Sequence, residues 1–284
     1  MSRFDTVTII GVGLLGGSLG LALKARGLAG TVRGVGHRQV SLDAACDVGA
    51  IDEPYLDARD ACAGAHLVVV CTPAALVPAK LDEILPVCAE RTVVTDVAST
   101  KAAICAHARN TWPKPLRFVG SHPMAGSEKF GPEHAHPDLY VNSATIVQPR
   151  WDLAADAWDT VVGLWRAVGS TVVEMNPERH DLLIARTSHV PHVVSACLAL
   201  LVTGLNDARP VIGNGFRDMT RIAAGRPEIW RDVCLTNRDA ILDGIDALMK
   251  RLEEFRDMTA RDAADRLAEF FDSARKARHE AVDE

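Results

Sequence analysis

Thr6-Val7-Thr8-Ile9-Ile10-Gly11-Val12-Gly13-Leu14-Leu15-Gly16-Gly17-Ser18 is the stretch on which the fold turns. Residues 7–10 are a short β-branched run that reads as a buried strand. Gly11, Gly13 and Gly16 follow at the G-x-G-x-x-G spacing, and residues 18–26 continue as an apolar-faced helix ending at Gly27. In a dinucleotide-binding turn the first glycine permits the bend, the second lets the backbone approach the pyrophosphate, and the third lets the helix pack on the strand. The anion then meets free N–H groups and the positive end of the helix dipole. Glycine-rich turns are common, but this one has the required strand before it and helix after it. Gly11, Gly13, Leu14, Leu15 and Gly16 are the expected cradle of a nicotinamide or flavin nucleotide.

The pattern continues outward from that turn. Residues 31–36 read as a second strand, 42–46 as the start of a helix, and 67–71 as a buried strand halted by Thr72-Pro73. A helix is expected over 76–85, a strand over 92–97, a helix over 102–109 and a strand over 118–121, with His122-Pro123 directly after it. Strands alternating with helices indicate an α/β, Rossmann-like, doubly wound parallel sheet, whose ligands bind beyond the carboxyl ends of the strands. Thr72, Pro73, Ser99 and His122 all fall there. Residues 128–139 form a polar loop expected to act as an active-site flap, and 144–147 read as a strand. Trp151, Trp158 and Trp165 recur at heptad spacing and are expected to share one core-facing helix face. Residues 171–174 are expected to close the sheet.

From residue 177 onward the pattern is helical only. Residues 178–205 form a long apolar helix with Pro191 as an expected kink. Residues 206–226 read as a loop, and Pro227 starts a helix that runs through Trp230 toward Phe255. Residues 262–279 are amphipathic. The expected organisation is a dinucleotide-binding domain over 1–176 and an all-α domain over 177–284. The run 193–201 needs covering on all sides, which a second subunit supplies most readily, so a homodimer through the helical domain is expected.

Composition narrows the class. The 284 residues are 48% apolar and 24% charged, ordinary for a globular protein with two domains. A net charge of −6 leaves no footprint for nucleic acid and no attraction to an anionic membrane. The seven cysteines are scattered without a C-x-x-C, as in reduced cytosolic proteins. The first strand begins within a few residues of Met1, and the apolar run 193–205 is shorter than a bilayer requires. A cytoplasmic protein is expected.

Four groups of residues carry potential chemistry. Asp96 to Lys101 sets Ser99 at a strand end beside a lysine; the plainer reading is that Asp96 and Ser99 cap a helix. His122 is held by Pro123 at the carboxyl edge of the sheet, near where a nicotinamide ring would lie. Ser188-His189-Val190-Pro191-His192 puts two histidines on one helical face. Zinc is the rival there, but no third ligand stands at a recognisable spacing, so no metal is expected. A serine hydrolase is disfavoured for want of a G-x-S-x-G elbow. Gly215-Phe216-Arg217-Asp218-Met219-Thr220-Arg221 offers two guanidinium forks suited to carboxylates, with Trp230 beyond.

Taken together these motifs resemble the prephenate/arogenate (cyclohexadienyl) dehydrogenase family of tyrosine biosynthesis. The resemblance rests on Gly-Val-Gly-Leu-Leu-Gly-Gly-Ser at 11–18, Asp-Val-Ala-Ser-Thr-Lys at 96–101 and His-Pro-Met-Ala-Gly at 122–126. It continues with Pro-Glu-Arg-His-Asp at 177–181, Ser-His-Val-Pro-His at 188–192 and Gly-Phe-Arg-Asp-Met-Thr-Arg-Ile-Ala at 215–223. It implies oxidative decarboxylation of a cyclohexadienol, prephenate or arogenate, with hydride transfer to NAD or NADP. By resemblance His122 takes the proton of the C4 hydroxyl and Ser99 orients it. Arg221 grips the ring carboxylate, while Ser188, His189, His192 and Trp230 surround the substrate side chain. Arg217 assists, from its own or the partner subunit. Tyrosine, if it inhibits, is expected to compete at the same pocket.

One departure bears on the cofactor. NAD-using relatives hold the ribose hydroxyls with an acidic residue after the second strand, whereas residues 28–42 contain no Asp or Glu and Gly36 is followed by His37 and Arg38. A carboxylate there would repel a 2′-phosphate and these two residues attract one, so NADP is favoured. Two rivals are weighed. A β-hydroxyacid dehydrogenase would need a catalytic lysine in the helix over 178–205, which has none. A non-catalytic NADP-binding sensor would give no reason for Ser99, His122 and Arg221 to stand together.

Overall fold

The computed structural model describes residues 4–126, 129–205 and 207–282. They divide into two compact units, one ending at Arg238 and one beginning at Asp239. In the first unit six parallel strands form a sheet in the order β3-β2-β1-β4-β5-β6. They are β1 (Phe4–Ile10), β2 (Ala29–Val35), β3 (Glu53–Tyr55), β4 (Leu67–Val70), β5 (Val93–Asp96) and β6 (Phe118–Val119). Val7, Ile9, Leu67, Val68, Val69, Val70 and Val94 are fully buried, which is why these strands read as unbroken apolar runs: helices cover both faces. The strand order reverses between β1 and β4, and the crevice at that switch point is where such a sheet takes its ligand. Helix α1 (Leu14–Ala25) starts earlier than the sequence suggests, directly at the glycine turn. Strand β3 and the short helix α3 (Ala58–Cys62) have too little periodicity to be read from sequence.

The expected strand over 118–121 is two strands. The chain leaves the parallel sheet at Gly120 and enters a second, three-stranded sheet, β7 (Ser121–Pro123), β8 (Ala144–Val147) and β9 (Thr171–Glu174). Strand β7 runs antiparallel to β8, opposing His122 to Ile146, while β8 and β9 are parallel. A Cβ at residue 120 would stand 2.6 Å from Cys105 Sγ, so any larger residue at this crossover would have to displace the Cys105 side chain. Two expectations are thereby corrected. Residues 171–174 close the small sheet rather than the parallel one, and His122 sits within a strand rather than after one.

The tryptophan stripe is corrected too. Helix α6 spans Ala155–Ala167, and Trp151 precedes it in a turn where Asp152 adopts φ 58°; Trp151 is 60% exposed while Trp165 is fully buried. The left-handed residue reverses the chain before the helix begins, so heptad spacing does not put Trp151 on its face.

The expected long helix after residue 177 is α7 (Pro177–Ile184), a π-turn over Ala185–His189, and α8 (Val190–Leu201). Pro191 has no N–H to give Thr187 and its ring crowds that carbonyl; the chain answers with the wider turn rather than a simple kink. The continuous stretch Pro177–Leu201 is longer than the 193–205 run and, by length and composition alone, would cross a membrane. It carries His180, Asp181 and His189, however, all buried and bonded to residues of the same unit. Helix α9 (Asn214–Thr220) and a turn over Arg221–Ala224 pack on α8. Asn206, expected to open the loop before α9, lies outside the described residues, as does Glu128.

Helix α10 (Pro227–Thr236) does not run on toward Phe255. Asn237 leaves helical geometry (φ −120°, ψ 33°), and α11 (Arg238–Ala260) follows. The second unit comprises α11 from Asp239 and α12 (Ala264–Val282), with Phe255, Phe270 and Phe271 clustered at centroid distances of 5.4 to 5.8 Å.

Candidate active site

The glycine turn is built to hold an anion. Gly11 has φ 101°, and a Cβ there would stand 2.7 Å from the Cys71 carbonyl; a Cβ at Gly16 would collide with the Gly11 carbonyl. A Cβ at Gly13 would meet nothing within 4 Å, so this glycine borders open space. Gly13 is also the N-cap of α1, with no side-chain cap and no acid in the first turn, so the N–H groups there are left for a ligand. Leu14 and Leu15 follow, half-buried. Across the switch point Thr72 Oγ1 is buried without a hydrogen-bond partner, and Pro73 beside it is exposed. Thr72 lies beside the glycine turn, where a Cβ on Gly11 would stand 3.3 Å from its backbone N, and an orphaned hydroxyl there is one that a pyrophosphate would satisfy.

His37 and Arg38 are exposed just beyond β2, at the entry to α2 (Gln39–Asp47), whose first turn carries no acid. Asp43, the nearest acid in sequence, accepts from Gln39, while Asp52 and Glu53 are engaged with Lys24 and Arg33. The loop expected to act as a flap is tied down on α1. Ser18 Oγ accepts from the His136 amide, Arg26 pairs with Asp138, and the Tyr140 hydroxyl donates to the Leu15 carbonyl at 2.7 Å.

His122 projects from β7 into a buried polar run. Its Nδ1 lies 2.8 Å from Nε2 of His180, whose Nδ1 lies 2.7 Å from the Asp181 carboxylate. That carboxylate also accepts from the amides of Lys101 and Ala102, at the start of α5 (Ala102–Thr111). Lys101 itself turns inward to the fully buried Asp96, which accepts from the amides of Ala98 and Ser121 as well. Burial foremost, with Lys101 and the nearby His180 and His189 rings opposing a further positive charge, holds the His122 imidazole well below its ordinary pKa. The ring is therefore neutral near pH 7. Ser99, half-buried in the turn between β5 and α5, has a hydroxyl that no described residue engages.

His189 and His192 flank Trp230. His192 stacks on the indole at a centroid distance of 3.6 Å, and His189 meets it edge-on at 6.3 Å. His192 Nδ1 approaches the Ser188 carbonyl at 3.0 Å. Asn237 Nδ2 donates to the Asp181 carbonyl and lies 3.1 Å from His189 Nδ1. Because a carbonyl only accepts, that nitrogen is the amide NH₂, so His189 Nδ1 accepts and Nε2 carries the proton. Nε2 is buried and without a partner, a donor left over. Arg221 is exposed at the turn packed on α8, near enough that its charge opposes protonation of His192. Arg217 is exposed on α9. The structure therefore gathers His189, His192, Trp230 and Arg221, and links them through Asn237 and Asp181 to His122. Neither Ser99 nor Arg217 joins that bonded run. His180, Asp181 and Asn237 were not read from the sequence as functional, although Pro-Glu-Arg-His-Asp was a visible motif.

Burial pushes the His189 imidazole down to about 4, against the pull of Asp181. The unfolded chain takes this proton near pH 6.5 and the folded chain does not, so stability is full above that pH and falls as the pH drops toward about 4. Calorimetry across that window should show Tm descending steadily, with about 3 kcal/mol attributable to this histidine, and His189→Gln should flatten the descent.

The comparisons with known proteins follow this geometry. Two family models match, "Prephenate dehydrogenase, nucleotide-binding domain" over residues 19–174 and "Prephenate dehydrogenase, dimerization domain" over 176–273. The chain is 32% identical to a prephenate dehydrogenase of Bacillus subtilis (strain 168), covering 96% of this chain and 75% of that one. It is 30% identical to a cyclohexadienyl dehydrogenase of Zymomonas mobilis, covering 98% and 96%. The crystal structure of prephenate dehydrogenase from A. aeolicus with hydroxyphenyl propionate and NAD+ superposes with a TM-score of 0.88 at 31% identity, covering 98% of each chain.

Proposed function

We propose that this chain, which belongs to the prephenate dehydrogenase family, converts prephenate to 4-hydroxyphenylpyruvate and carbon dioxide with NADP as hydride acceptor. The observation that carries the reading is the buried, neutral His122 in the same compact unit as the open glycine turn. The substrate ring bears a hydroxyl and a hydrogen on C4 and a carboxylate on C1. NADP held at the glycine turn of Gly11, Gly13 and Gly16 would supply the acceptor for the C4 hydride and its electron pair. His122 takes the hydroxyl proton as the carbonyl forms. Cleavage of the C1–carboxylate bond then returns an electron pair to the ring, which aromatises, and the phenolate oxygen recovers the proton from His122. No net proton is produced. Arg221 would hold the ring carboxylate, and Ser99 would orient the hydroxyl.

The left-over donor at His189 Nε2 favours prephenate over arogenate. It suits the keto oxygen of a pyruvyl side chain, whereas the ammonium group that replaces that oxygen in arogenate asks for an acceptor. Leu200 and Leu201, 69% and 72% exposed on α8, support pairing with a second copy of the chain. The direct test supplies the purified protein with prephenate or arogenate and with NADP+ or NAD+, following reduced nicotinamide by absorbance. Absence of turnover in all four mixtures overturns the reading. Faster use of arogenate overturns the choice of substrate.

NADP rests on His37 and Arg38. A guanidinium on a 2′-phosphate is a charge-assisted contact, so Arg38→Ala should lower kcat/KM for NADP about tenfold and leave NAD unchanged. A wild-type protein using NAD at least tenfold better than NADP removes the proposal.

A further inference from the structure

We propose that His180 and Asp181 act as positioning residues that fix the tautomer of His122, leaving its lone pair on Nε2. The inference rests on the reading of His122 as the base and adds how that base is prepared. It follows from counting donors and acceptors along the bonded run. The Asp181 carboxylate receives the amides of Lys101 at 2.7 Å and Ala102 at 2.9 Å, so it sits at the positive end of α5 and stays ionised. An ionised carboxylate only accepts, which makes His180 Nδ1 the protonated nitrogen at 2.7 Å. A neutral His180 then presents a bare Nε2. That nitrogen lies 2.8 Å from His122 Nδ1, which must therefore carry the proton. His122 has a single hydrogen to place in its neutral form, and Nδ1 has claimed it.

The alternative order fails at its far end. If His122 Nδ1 were the acceptor, His180 Nε2 would be the donor and its Nδ1 would face the carboxylate bare. Asp181 would then need a proton of its own, against two backbone amides that favour its charge. The rings of His122 and His180 meet at 72° with centroids 5.1 Å apart, edge to face rather than stacked, so they do not hold each other by ring overlap. The charged or titratable groups about His122 are His180, Lys101 and His189, with Asp181 behind His180 and Asp96 behind Lys101. When His122 takes the hydroxyl proton, the His180 lone pair already faces its Nδ1–H. The cation forms against an aligned acceptor, and Asp181 does not itself need to be protonated.

The test reads the tautomer in the free protein. Protein labelled with 15N-histidine, with His122→Asn identifying the signal by its loss, should give a His122 protonated at Nδ1 in long-range proton–nitrogen correlations. His180→Asn keeps a polar group toward Asp181 but removes the acceptor for His122. It should yield a mixture with Nε2-protonated His122 and lower kcat about 100-fold, with KM and cofactor affinity within twofold. A merely structural role would shift stability without moving the tautomer or separating kcat from KM. Nε2 protonation of His122 in the wild type overturns the proposal even if the variant does not fold. An unchanged tautomer and kcat in His180→Asn overturns it as well. The spectrum needs no turnover, so failure of the proposed reaction and failure of this assignment are read separately.

Discussion

His122→Asn is expected to lower kcat by about 10³-fold, within the usual span of a lost general base, while NADP binding measured by fluorescence titration stays within twofold. Asparagine suits the test because its side-chain NH₂ reaches roughly where Nδ1 stood and can still donate to His180 Nε2, so the buried run through Asp181 survives. What disappears is the bare ring nitrogen proposed to accept the hydroxyl proton. The cofactor cradle is remote in the chain, made by Gly11 to Gly16 and Thr72, and makes no hydrogen bond to these groups among the described residues. Because burial holds the wild-type imidazole well below its ordinary pKa, kcat/KM should show no fall at pH 6.5, where an exposed histidine would be half protonated. A variant with wild-type kcat would remove His122 from the chemistry. A wild type that binds NADP and turns over neither substrate would instead favour the sensor.

What could be read from the sequence was whatever is local. The β-branched run before Gly11 and the apolar runs at 67–70 and 93–96 announce buried parallel strands because each is short, unbroken and flanked by turns. The glycine turn is legible because its constraints fall within six residues. What escaped depends on partners far away in the chain. The crossover at Gly120 is dictated by Cys105 and Gln148, which no window around residue 120 contains. The end of α10 at Asn237 reflects an amide spent on the Asp181 carbonyl, and a helical periodicity running through the site gives no hint of that. His180 shows the limit most clearly. A histidine in a charged helix start looks solvent-exposed, yet it is fully buried because Asp181 reaches the α5 amides and draws α7 inward. For Ser188, His189 and His192 the motif named the residues, but only the π-turn and Trp230 say how they are presented.

Arg221→Ala should reduce kcat/KM for prephenate by about 100-fold, chiefly through a higher KM. A carboxylate gripped by a guanidinium fork gains a charge-assisted pair of hydrogen bonds of about 3 kcal/mol. The exposure of Arg221 argues against a larger figure, since water partly screens the pair. The split between KM and kcat follows from the chemistry. The carboxylate bears its full charge in the ground state and surrenders it as carbon dioxide departs, so a cation there binds substrate at least as well as the transition state. Its loss weakens binding and costs kcat little. Arg221→Lys should recover only part of the affinity, because an ammonium lacks the two-pronged geometry. The neighbouring imidazole gives a second readout. Arg221 opposes protonation of His192, so its removal should raise the His192 pKa, visible by NMR as titration at higher pH. If kcat/KM in Arg221→Ala stays within threefold of wild type while the His192 titration moves as expected, the guanidinium faces the histidine but not the substrate, and the ring carboxylate must be held elsewhere.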